Sequence, residues 1–221
     1  MEKTISTNTE INSHVEKEHV PRTTHLLEFS MEEQLEHGKM VSNLAYHIAK
    51  KIGMSDEQVR NVIVAGLFHD IGKTEIEKIY SITDDSALYV EEMNSVRLHP
   101  NKGYEILKRH GYSEEICQAV LHHHENYDGS GFPDNLEGWN IPIEACILRV
   151  CDFFCSLVSD RPYRRAFSYD TAMEMMIEEI KKFDIKVFLA FQGIVHSDEG
   201  GKIALPETAE EVRGVWKTVW N

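Results

Sequence analysis

VRNVIVAGLFHDIGK, residues 59–73, decides how the chain folds. Ser55 followed by Gln58 is a capping-box signal, and the apolar residues after it continue as a buried helix towards Gly72. His69 and Asp70 come directly after AGLF, where the chain should be entering the core. Burying an ionised carboxylate there is costly unless a cation or hydrogen bonds compensate it. A lone His-Asp pair reads most simply as a helix C-terminus. The same pair can also reach a metal cluster where the helix ends and the backbone loosens.

The helical pattern extends in both directions. Ser30 and Glu33 form a second candidate capping box, and Leu35, Met40, Leu44, Ile48 and Ile52 keep helical spacing up to Gly53. A polar, less regular segment spans 74–95, and helices are expected at 100–110, 113–126, 141–158, 169–182 and 184–195. No strand–helix alternation is present, so a parallel sheet is not expected. The reading is an all-α helical bundle at 29–200, with a polar arm at 1–28. The tail at 201–221 alternates weakly and suits a short hairpin or a final helix.

The 221 residues are 42% hydrophobic, enough for a core, and no apolar run approaches the ~18 residues of a membrane span. The N-terminal stretch lacks the apolar region of a secretory signal. The four cysteines form no CxxC pair, so the expectation is reduced thiols in a cytoplasmic protein. A formal charge of −14 argues against binding a nucleic-acid polymer. It leaves room for a small anionic ligand, since a bound metal dominates its local field.

LHHHENYDGSGFP, residues 121–133, brings three more imidazoles together. Successive helical residues diverge by about 100°, so His122, His123 and His124 cannot all face one pocket. Two of them could serve different ions, leaving the third a bystander. His37 lies four residues after Glu33, and the two share a helix face. His99 precedes Pro100 at a helix entry, and Asp152 interrupts the apolar run EACILRVCDFFCSLV. Imidazoles mixed with carboxylates suit Fe, Mn or Zn better than Mg or Ca.

HDIGK at 69–73, LHP at 98–100, HHENYDGSGFP at 123–133 and SDRPYRRAFS at 159–168 resemble the motifs of the HD-GYP family. This is a branch of the HD metal-dependent phosphohydrolases. The resemblance runs from about Glu33 to about Val195. It implies a helical HD domain with two or three transition-metal ions in its core, iron or manganese, and hydrolysis of cyclic di-GMP by a metal-activated hydroxide. It also implies metal ligands at His37, His69, Asp70, His99, His123, His124 and Asp152, with Glu33 as ligand to a third ion. Glu33 has a competing role as the cap partner of Ser30. Lys73 falls on a phosphate-contacting lysine acting with Asp70 in catalysis, and Arg161 and Arg164 on a basic substrate clamp.

The chain departs from the family at the GYP tyrosine, which is Phe132, and at a second aspartate after Asp152, which is Cys155. The 74–98 segment also departs. The metal ligands are thus kept while the expected substrate-binding residues change, with Phe132 still offering a ring to substrate and Cys155 expected to set preference. The alternatives are a phosphohydrolase for another nucleotide, such as a mixed cyclic dinucleotide or nucleoside phosphate, and a non-catalytic metal-containing signalling module. Di-iron oxygenase chemistry is a further alternative, against which Lys73 and the arginines weigh. The expected partners are the small nucleotide, protein signalling partners or a second copy of the chain.

Overall fold

The computed structural model describes residues 31–80, 96–160 and 164–196. The arm at 1–28, the tail at 201–221, Ser30 and Arg161 lie outside them. Eight α-helices follow in order among the described residues: α1 Met31–Lys51, α2 Asp56–Phe68, α3 Lys73–Tyr80, α4 His99–Arg109, α5 Glu114–Leu121, α6 Ile143–Leu157, α7 Tyr169–Glu178 and α8 Ile185–Val195. Short 3-10 turns lie at Gly138–Asn140 and Ile180–Lys182. No strand forms among these residues, and no helix is long and apolar enough to cross a membrane.

The helices start where capping chemistry allows. Ser55 accepts from the Gln58 amide while the Gln58 side chain accepts from the Ser55 amide, completing the capping box at α2. Ser113, Ser168 and Asp184 cap α5, α7 and α8 more simply, each side chain accepting from one backbone amide. On α1, Val41, Leu44, Ala45, Ile48 and Ala49 form one buried stripe at helical spacing. That stripe packs on α2 and α6. Full burial of each large aliphatic side chain contributes roughly 1.5–3 kcal/mol.

Helix α6 is the spine of the bundle. Ile147, Leu148, Val150, Cys151, Phe154 and Cys155 are all buried, and α1, α2, α5, α7 and α8 pack around it. Asp152 is buried on this helix too.

Three expectations shift in detail. Residues 74–80, expected to be irregular, belong to α3, whose Ile76 is buried and which packs on α4. That contact is tertiary and invisible to periodicity. Helix α5 ends at Leu121, earlier than expected, and the histidines occupy the turn beyond it. Helix α7 gives way after Glu178 to the 3-10 turn.

Candidate metal centre

Seven side chains from five segments converge in the interior. His37 comes from α1, His69 and Asp70 from the end of α2, and His99 from the first turn of α4. His123 and His124 follow α5, and Asp152 comes from α6. His37, His69, His99, His123, Asp70 and Asp152 are all buried. Their donor atoms form two groups that could hold metal ions, His37–His69–Asp70 and His99–His123–His124.

The two carboxylates join these groups. Asp70 Oδ2 lies 3.4 Å from His69 Nε2, and its Oδ1 lies 3.3 Å from His99 Nε2. Asp152 Oδ1 is 3.0 Å from His37 Nε2 and 3.7 Å from His69 Nε2. Asp70 therefore faces both halves.

The rings are oriented from behind. His69 Nδ1 donates to the Gly66 carbonyl at 2.8 Å, His123 Nδ1 to the Val120 carbonyl at 2.6 Å, and His99 Nδ1 to the Val96 carbonyl. In each case the acceptor lies three residues earlier in the chain. Such bonds fix the tautomer and turn Nε2 towards the site, as the outer partners of metal-ligating histidines do.

The electrostatics suit a cation. Burial is the main reason that His99 is pushed down to about 4 and His124 to about 3, and it holds His123 well below its ordinary value. His99 and His123 are thus neutral, with Nδ1 carrying the proton. Their bare Nε2 lone pairs nevertheless meet at 3.2 Å. A cation between them would relieve that contact. Burial also disfavours charge on His69, but Asp70 and Asp152 outweigh it and raise the ring to about 10. His37 Nδ1, His69 Nε2 and His122 Nδ1 are buried without a hydrogen-bond partner, His69 Nε2 having only the longer contacts to Asp70 and Asp152. The donor set and its opposed lone pairs fit metal ions.

Two glycines permit the geometry. A Cβ on Gly72 would lie 2.0 Å from the His99 carbonyl oxygen, so the HDIG turn packs directly on α4 and brings His99 to Asp70. A Cβ on Gly131 would meet the Asn126 nitrogen at 2.2 Å, and the Gly-rich loop folds tightly back on the histidine turn.

His122 is the bystander. Its Nε2 lies 2.9 Å from Gln118 Oε1, away from the cluster. His123 and His124 have ring centroids 4.1 Å apart and both belong to the His99 group. Lys73 Nζ donates to Asp70 Oδ2 at 2.6 Å, so its charge adjoins the cluster. Phe132 stacks on His124 with centroids 4.8 Å apart, and the Arg97 guanidinium carbon lies over the Phe132 ring, 5.2 Å from its centre.

Other expected residues fall elsewhere. Glu33 is exposed in the first turn of α1 and belongs to neither metal group. Arg164 does not present its guanidinium to the cluster. It donates to the carbonyls of Leu157 at 3.0 Å and of Ser156, closing the end of α6, and stacks on Phe167. Cys155 is wholly buried in the apolar core, which corrects the expectation that it contacts substrate.

Glu125 was not expected as a site residue. It is buried and accepts from the Asp134 amide at 2.7 Å and the Leu136 amide at 3.1 Å, pinning the loop that carries Phe132. An acidic residue directly after the histidine run was its sequence signal.

The HD domain description matches residues 19–187, and the chain belongs to the HD domain family. It is 40% identical over 137 residues to the cyclic di-GMP phosphodiesterase response regulator RpfG of Xanthomonas campestris pv. campestris, covering 60% of this chain and 35% of that protein. It is 31% identical over 156 residues to 3'3'-cGAMP-specific phosphodiesterase 1 of Vibrio cholerae, covering 69% of this chain and 36% of that protein. The chain thus spans just over a third of the length of these curated relatives. The fold is shared with a crystal structure of the V. cholerae phosphodiesterase V-cGAP3, with TM-score 0.63, 16% identity, and 81% of this chain and 48% of that one covered. It is also shared with Bd1817, described as an HDG"Y"P protein from Bdellovibrio bacteriovorus, with TM-score 0.60, 18% identity, and coverage of 76% and 55%.

Proposed function

We propose that the chain is a metal-dependent phosphodiesterase that hydrolyses a cyclic dinucleotide, with cyclic di-GMP as first substrate. The observation that carries this reading is the pair of buried ligand groups joined through Asp70. The names of the relatives support the substrate class.

We assign the metal ligands to His37, His69, Asp70, His99, His123, His124 and Asp152, with iron or manganese as the ions. Bound ions would supply Lewis acidity and lower the pKa of coordinated water. The chain's own residues do the rest. Asp70 fixes the distance between the two groups, and Lys73 places a cation where a phosphodiester's non-bridging oxygens would come. Phe132 offers a ring face beside His124 for a base. Arg161 is retained as a phosphate contact on the family resemblance. Glu33, one helical turn before His37, is assigned to a third ion. Four buried cysteines, none of them in a disulfide, suit action in a reducing cytoplasm.

A mixed purine cyclic dinucleotide is the second reading. It is favoured by Phe132, which lacks the hydroxyl of the family's tyrosine, and by the cGAMP-specific relative. The deciding experiment is metal analysis of the purified protein, followed by incubation with a panel of cyclic dinucleotides and chromatography of the products. A metal-loaded protein that converts none of them would overturn the proposal.

A further inference from the structure

Arg149 lies one turn before Asp152 on α6, where the two share a side of the helix. Its Nε donates to Asn126 Oδ1 at 2.8 Å, two residues beyond the ligand His124. Its guanidinium carbon sits 5.2 Å from the centre of the Phe153 ring. These contacts fix the plane of the fork from two directions. The terminal nitrogens have no carboxylate or carbonyl partner among the described residues.

Burial disfavours the charge of Arg149, and Asp152 is the acid that chiefly sustains it. The same charge adds to the burial that keeps His124 neutral. Arg149 is half-buried, and a guanidinium held from two directions with its terminal nitrogens unengaged is poised to meet an anion. A guanidinium with its Nε already engaged presents two parallel N–H groups, the geometry that a phosphate accepts bidentately.

We propose that Arg149 is a substrate-binding residue that grips the second, non-scissile phosphate of a cyclic dinucleotide. The inference rests on the cyclic-dinucleotide reading above. A cyclic dinucleotide carries two phosphodiesters. Lys73 attends the Asp70 side of the cluster, where one would be cleaved, and Arg149 stands on the His124 side, where the other would rest. Arg164, engaged with the end of α6, is replaced in this task by a residue on the ligand-bearing helix itself.

The test compares cyclic di-GMP and 3'3'-cGAMP with bis(p-nitrophenyl) phosphate, a diester with one phosphate, in the metal-loaded wild type, Arg149→Gln and Arg149→Lys. The Gln variant should lose roughly tenfold to a hundredfold in kcat/KM on the cyclic dinucleotides, mostly through KM. Its loss on the small diester should be at least about tenfold smaller, at unchanged metal content. Lysine, which keeps the charge without the fork, should recover part of the difference. Should Gln fail to fold, the Lys variant's ratio between the two substrate types is the readout. Equal losses on both types would assign Arg149 to holding Asn126 and the loop instead, and no loss on either would make it a bystander. A wild type that cleaves only the small diester would remove the substrate reading itself, a pattern distinct from either variant result.

Discussion

His99 Nε2 and His123 Nε2 face each other at 3.2 Å, each on a ring whose Nδ1 is tied to a backbone carbonyl. Two neutral imidazoles so held turn lone pair towards lone pair, and a metal ion is the simplest resolution. Asp70 faces this pair through Oδ1 and the other half of the site through Oδ2. Asp70→Ala should therefore strip most of the bound metal, and His124→Ala a clearly smaller share. Elemental analysis of the two variants checks this, and equal losses would contradict the bridging role. Added Mn or Fe(II) should also raise the melting temperature of chelator-treated wild type.

Lys73 and Arg164 should separate cleanly. Lys73→Met removes a charge beside the ligands and should lower kcat/KM roughly tenfold to a hundredfold with metal retained. Arg164→Ala removes donors from the last carbonyls of α6 and should chiefly lower thermal stability, by about 1 kcal/mol or somewhat more. Turnover and melting curves measured on both proteins decide it. A kinetic defect in Arg164→Ala at full stability would restore that residue to the substrate clamp.

Glu33→Gln keeps a side chain able to serve a helix start while weakening a metal ligand. The expected outcome is loss of the third ion, with the two core groups still loaded and stability nearly unchanged. Unaltered metal content and turnover would return Glu33 to a surface role.

Cys155→Asp places a carboxylate in a wholly buried apolar setting. Burial of a charge there costs several kcal/mol unless it protonates, so the variant should melt far lower than wild type. No gain in selectivity for cyclic di-GMP is expected. A stable variant with shifted preference would show that this position does reach the pocket.

Metal-free stability should peak near pH 6.5. His69 is raised to about 10, so its contribution is complete below the ordinary value of about 6.5 and is lost as pH rises towards about 10. His99 and His124 are lowered to about 4 and about 3, so their contribution is present above about 6.5 and is lost as pH falls towards those values. Thermal melts of chelator-treated protein across this range give the test. A steady rise in Tm up to pH 10 would contradict it.

The helical architecture was legible because periodicity and capping serines are local signals, and the residues that converge in the interior stood out through the family motifs and as unusual polar residues in apolar runs. Helix α3 was not, since the packing of Ile76 towards α4 joins segments distant in sequence. The histidine turn was legible only in part. The 100° rule left one of the three outside the site without saying which, and the family motif singled out His122; the early end of α5 is what lets His123 and His124 face one group. Arg164 misled because its motif carries no sign that the nearest acceptors are the carbonyls of Ser156 and Leu157. Arg149 and Glu125 escaped notice for the opposite reason. A single charged residue in an apolar helix, or next to a more conspicuous motif, shows its partners only in three dimensions.

The carbonyl ties behind His69, His99 and His123 bear on how the protein acquires its ions. Once the chain has folded, none of those rings needs to flip to accept a metal, and only His69, held charged by Asp70 and Asp152, has a proton to give up. Little reorganisation is then left to discriminate among first-row divalent ions, whose intrinsic preference for nitrogen and oxygen donors follows a fixed order. On the metal assignment proposed above, the occupant would then be set by supply, and the same polypeptide matured in iron-rich or manganese-rich surroundings would carry different ions.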